Sequence, residues 1–195
     1  MISKTQKPKN TRAHWPGFGS INQQQNNMEK YKIPKNLLSK GNTNAKTSKN
    51  SLKTFILYLA PHKQNDKQIN ICPMASKGCA TACLFTAGRG KFSNVQNARI
   101  NKTNFYIYDK ELFILKLAGE IIKETNKAKK NNEKIAFRLN GTSDIDFIYL
   151  LQKYASLNIE DLKENAVFYD YTKILGKIRK YKDHLNYHLT FSRAE

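Results

Sequence analysis

Cysteine is nearly missing from this chain of 195 residues, which has only three, at positions 72, 79 and 83. So scarce and odd a set argues against a secreted fold held by disulfides. Long apolar runs are missing too: none approaches the roughly 18 residues needed to span a bilayer. The first ten residues, MISKTQKPKN, lack the apolar segment of a secretory signal. These absences give a cytoplasmic location with no membrane association as the expectation. There thiols stay reduced, and clustered thiols suggest a metal or catalysis. Acidic residues are also few, with 15 Asp and Glu against 34 Lys and Arg and a net charge of +19.

That charge is unevenly spread. Residues 1–53 hold 11 Lys and Arg against one acid, Glu29, while residues 54–195 hold 23 against 14. Lysine outnumbers arginine 28 to 6, whereas bidentate recognition of bases and phosphates favours arginine. Two readings stay open: a solvated lysine surface, or attraction to nucleic acid or another polyanion.

The chain divides into a tail and a body. Residues 1–35 are polar, carry the run INQQQNN and are punctuated by Pro8, Pro16 and Pro34. This is expected to be a flexible basic tail, tacked to the body by Trp15 and Phe18. Residues 36–195 are expected to form one α/β domain, opening on a polar loop, LSKGNTNAKTSKN. TFILYLA (54–60), IAFRL (135–139), AVFYD (166–170) and NYHLTFS (186–192) read as strands. Helices are expected near 93–104, over DKELFILKLAGEIIKETNKAKK, over FIYLLQKYA and within YTKILGKIRKY. In the second of these, Asp109 is the expected N-cap, and Leu112, Leu115, Ile121 and Ile122 mark the apolar face. Strands alternating with helices imply repeated βα units in a mainly parallel sheet or a partial, TIM-like barrel. Four strands are few for a closed barrel.

In such folds chemistry gathers on the loops that leave the C-terminal ends of strands. After the first strand comes a loop at 72–91 with all three cysteines and Arg89. After the second come Asn140, Gly141, Thr142, Ser143 and Asp144. Asp170 and Lys173 follow the third strand, and Ser192 and Arg193 the fourth. Asp144 and Asp170 are candidate catalytic acid/base groups. Arg89, Asn140, Thr142, Ser143, Lys173 and Arg193 are candidate substrate-binding residues, the arginines suited to a carboxylate or phosphate. Arg99 and Lys102, one helical turn apart, are weaker candidates that read mainly as a solvated face. The spacing C-x6-C-x3-C supplies three soft ligands, Cys72, Cys79 and Cys83, which suit a [4Fe–4S] cluster with one iron left open. Zinc is the alternative and would need a fourth ligand, for which His62 and His188 are the nearest in kind. The plainest alternative is three thiols used as small apolar residues.

Taken together, CPMASKGCATACLFTAGRGKF, NVQNARINKT, RLNGTSD, FYDYTK and YHLTFSR resemble a phage and plasmid family known as gene product eighty-eight, from about residue 39 to the end. The resemblance implies a mobile-element protein in which the cysteine loop has a role. A three-cysteine loop after the first strand of a βα array is also similar, more distantly, to radical S-adenosylmethionine enzymes. That similarity implies a cluster and, as a further cofactor, S-adenosylmethionine. The spacing differs from their C-x3-C-x2-C, and Asn140-Gly141-Thr142 stands where their glycine-glycine-acid motif would be. An iron–sulfur protein acting on a substrate is thus one expectation. A basic nucleic-acid-binding protein with a structural metal and a mobile-element effector that binds a host protein are the others.

Overall fold

The computed structural model describes residues 30–41, 52–81, 83 and 88–193. Five strands appear among them: β1 (Leu38–Lys40), β2 (Lys53–Leu57), β3 (Ile135–Arg138), β4 (Ala166–Thr172) and β5 (Tyr187–Phe191). They stand in the order β1-β2-β3-β4-β5 in one sheet. β2 to β5 run parallel, and β1 lies antiparallel at the edge. The helices are α1 (Lys77–Thr81), α2 (Ser93–Tyr108), α3 (Lys110–Lys130), α4 (Phe147–Ala155) and α5 (Leu175–Tyr181). The fold is therefore α/β with a mainly parallel sheet, and that sheet does not close into a barrel.

Neighbouring strands that are also successive in the chain need crossovers of one hand, which collects the helices on one side. The burial pattern agrees. Phe55, Leu57, Ile135, Phe137 and Phe168 alternate onto the helical face and pack with Phe113, Leu117, Ile121 and Leu151. Phe137 lies at the middle, its ring 5.6 Å from that of Phe55 and 5.0 Å from that of Phe168.

Two features depart from the sequence reading. β1 falls within the expected polar loop; three residues are too few to show a strand period. It is fixed by distant groups instead. The Glu120 carboxylate on α3 accepts from the backbone N–H groups of Leu37 and Leu38 at 2.8–3.0 Å, and Lys102 Nζ on α2 donates to Leu37 O at 2.6 Å. The second departure is the face of α3. Asp109 caps the helix as expected, accepting from Leu112 N. Of the four expected core residues, however, only Ile121 is inside, with Phe113, Ile114 and Leu117, while Leu112, Leu115 and Ile122 are exposed. Both stripes are apolar at helical spacing. The choice between them is made by α2, whose Phe105 and Tyr106 meet Phe113 edge-on at 5.3 and 5.4 Å.

Residues 30–35, placed with the tail by sequence, lie along α2 and α3. Tyr31 stacks on Phe105 at 4.8 Å and donates to Asp109, and Lys116 Nζ reaches Lys35 O. Trp15 and Phe18 lie outside the described residues. No helix among the described residues is long and apolar enough to cross a membrane.

The α3 assignment makes a sharp prediction. Ile121 is fully buried and Ile122 is 40% exposed. Ile121→Ala should cost about 2–5 kcal/mol in urea unfolding, and Ile122→Ala less than about 1 kcal/mol. Equal costs would contradict the orientation of this helix.

Candidate functional site

The cysteine loop is held by a clasp between the chain after β2 and the chain after β3. Beyond β2, Pro61 is followed by His62 in the left-handed region (φ 53°). The chain then turns back, so that Ile71 N donates to His62 O. The next residue is Cys72. Its thiol donates to Thr142 O at 3.6 Å, and Asp144 N donates to Ile71 O at 3.0 Å. Two further bonds close the clasp: Gly141 N to Leu57 O at 3.0 Å, and Thr142 Oγ1 to Leu59 O. Glycine is required at 141 by space. A Cβ there would stand 2.8 Å from Leu57 O and 2.7 Å from the Tyr58 ring.

Cys79 lies in α1, its backbone N–H bonded to Ser76 Oγ, and Cys83 follows the helix. None of the three cysteines is in a disulfide, and all three are partly buried. Burial pushes the Cys72 thiol up to about 11; the charges of Cys83, Asp144 and Cys79 act in the same direction, and the His62 backbone amide opposes them. Cys79 and Cys83 therefore both lie within electrostatic reach of Cys72. The three do not share a centre as placed: among the described residues no group of three His, Cys, Asp or Glu side chains is gathered to hold a metal. The donor chemistry suits a thiophilic metal, and the arrangement would have to draw together to ligate one.

Asn140 and Asp170 form the polar hub behind this clasp. The Asp170 carboxylate accepts from Asn140 N at 2.7 Å, from Asn140 Nδ2 at 3.0 Å and from Tyr187 Oη at 3.2 Å. The Asn140 side-chain oxygen in turn accepts from Ser143 Oγ and Ile145 N, and its amide also donates to Ile145 O. The sequence reading placed Asp170 on the loop that follows the third strand, as a candidate acid/base group. β4 in fact runs two residues further, and alternation turns Asp170 inward, 2% exposed. Burial raises its pKa to about 6, against the hydrogen bonds from Asn140 and the charges of Lys177 and Arg138.

Asp144 is engaged as well. It accepts from Thr172 Oγ1 at 2.8 Å and Lys173 N at 2.9 Å, and pairs at 3.2 Å with the buried Lys177. Its carboxylate still influences Cys72, and it borders a half-open cleft of about 240 Å3 lined by Ile71, Pro73, Tyr106 and Lys110.

Residues 36–195 match the Gene product 88 family. The chain belongs to that family. No curated protein and no solved structure matches it.

In this Gene product 88 protein the remaining candidates scatter. Arg89 is exposed on a 3-10 turn, Gly88–Lys91. Arg193 is exposed, and its carbonyl accepts from Lys173 Nζ at 3.1 Å. Asn140, Thr142 and Ser143, read as substrate contacts, spend polar atoms on the clasp. Arg99 and Lys102, read as a solvated face, are partly buried instead. The Arg99 guanidinium lies 4.8 Å over the Tyr58 ring, and burial lowers the Lys102 amine to about 8. His188 is exposed on β5, whereas the His62 amide meets the Cys72 sulfur. Sequence reasoning missed Lys177 and Tyr187. Each sits in a segment whose period had been read as ordinary helix or strand, and neither shows a local sign of its acidic partner.

Two predictions follow from the clasp and its hub. Gly141→Ala should lower the urea midpoint markedly and loosen the cysteine loop, raising the rate at which Cys72 reacts with a thiol reagent; an unchanged rate would show that the clasp does not hold the loop. Asp170 has an ordinary value of 3.8 in the unfolded chain and about 6 when folded. Across that window the folded state keeps a proton the unfolded chain has released, so this group withdraws stability as pH rises. The stability of the wild type relative to Asp170→Asn should therefore fall from about pH 4 to about pH 6, read from urea midpoints. Parallel profiles would contradict a buried, proton-holding carboxyl.

Proposed function

We propose that this Gene product 88 protein binds an iron–sulfur cluster through Cys72, Cys79 and Cys83. The observation that supports the reading is the placement of Cys79 and Cys83 close enough to Cys72 to act on its thiol, at the C-terminal end of the parallel sheet. That edge is where parallel α/β folds place their chemistry. Three thiolates around a four-iron cluster leave one iron open to a substrate or to S-adenosylmethionine. The protein's own part is visible in its contacts. The clasp fixes Cys72, the largely buried Lys177 pins Asp144 beside the thiols, and the cleft next to Asp144 gives room for a ligand. α1 buries none of its five residues, so little packing resists the shift that would bring Cys79 towards Cys72. Binding of a thiophilic metal would also remove the proton that burial retains on Cys72.

The test is anaerobic purification followed by iron, acid-labile sulfide and zinc analysis. The expected protein is brown, absorbs broadly near about 400 nm, and contains iron and sulfide. Cys72→Ala, Cys79→Ala and Cys83→Ala should each lose the colour while keeping the far-ultraviolet circular dichroism of the wild type. A colourless protein with stoichiometric zinc would replace iron by zinc in this reading. A folded, metal-free protein would leave the cysteines as plain packing residues.

A further inference from the structure

The sheet face turned away from the helices carries a second group of residues that the cysteine chemistry does not use. Alternation along the strands puts Thr54, Ile56, Arg138, Tyr169, Tyr171 and His188 there. Ile56 pairs with Arg138 and Tyr169 with His188, and because Phe137 registers with Phe168, Arg138 stands beside Tyr169. The Arg138 guanidinium lies over the Tyr171 ring, 4.9 Å from its centroid, and its Nε is buried with no hydrogen-bond partner among the described residues. Tyr169 reaches towards Thr54 across β3. Tyr171 is 48% exposed, and His188, opposite Tyr169 on the neighbouring strand, is exposed as well. Among the described strand residues on this face none is acidic. The arginine–tyrosine pairing recurs towards the cysteine loop, where Arg99 covers Tyr58.

We propose that this face binds single-stranded nucleic acid. An exposed ring backed by a guanidinium is a platform on which one base can stack, and stacking accepts any base because each has a π-face. Arg138 at the ring, and His188 on the same face opposite Tyr169, offer hydrogen-bond donors for the phosphate backbone. The absence of acids on the face, together with a net charge of +19, supplies the complementary field. A duplex keeps its base faces stacked internally and cannot use such a platform, so single strands are selected. None of these residues lies in the cysteine loop, and the proposal stands independently of the cluster reading.

Fluorescence anisotropy of the full chain with a labelled oligothymidylate of about 20 nucleotides tests it, alongside the same strand annealed to its complement. The single strand should bind more tightly than the duplex, and its affinity should fall steeply as salt rises. Tyr171→Ala should raise the Kd for the single strand about tenfold, while Tyr171→Phe, which keeps the ring, should bind like the wild type. Circular dichroism of both variants should match the wild type, since the ring is half exposed. Three results would overturn the proposal: no binding near physiological salt, equal binding of single strand and duplex, or undiminished binding by Tyr171→Ala. The last two would mean that lysine charge alone attracts the probe.

Discussion

One buried carboxylate organises the working edge of this sheet. Asp170 takes three hydrogen bonds, two from Asn140 and one from Tyr187, and so joins β4 to the chain after β3 and to β5. Such a group is costly to bury and is tolerated only where its lone pairs are met. With Asn140 held by Asp170, the asparagine oxygen gathers Ser143 and Ile145 into a tight turn. That turn brings Gly141 and Thr142 onto the end of β2, and Thr142 in turn receives the Cys72 thiol. Position of the first cysteine thus depends, through the Asn140 turn and Thr142, on a carboxylate that does not contact the cysteine.

The same logic explains why so many polar residues cluster at this edge without forming an obvious catalytic set. Asp144 is fastened by Thr172, Lys173 and Lys177. Removing one member of a buried pair costs far more than the pair contributes, because the remaining charge is stranded. These groups fix the loops around the cysteines and the neighbouring cleft. Their chemical influence on the thiols is electrostatic, through Asp144 acting on Cys72.

The two faces of the sheet divide the protein's tasks. The helical face is apolar and aromatic, and supplies the stability of the domain through Phe105, Phe113, Phe137 and their neighbours. The opposite face is left with arginine, tyrosine and histidine. Thr54, Ile56 and Ala136 are nonetheless buried on that face, and the Arg138 guanidinium over the half-exposed Tyr171 ring covers part of it by pairing a cation with a ring.

Much of the architecture was legible in the sequence. The four parallel strands follow from short apolar runs such as TFILYLA and AVFYD, and α4 from FIYLLQKYA, because these patterns are local. The clustering of Cys72, Cys79 and Cys83 after the first of those strands is likewise a matter of chain order. Three decisions were made only by the tertiary structure. Leu38–Lys40 became a strand because Glu120 and Lys102, far along the chain, hold its flank. α3 turned Ile121 rather than Ile122 inward because the rings of α2 were already committed to Phe113. Asp170 became the buried hub because β4 extends to Thr172, where pairing with β5 continues. Each of these choices rests on a partner remote in sequence, and no local period or spacing carries information about which of two apolar stripes, or which carboxylate, the distant partner will meet.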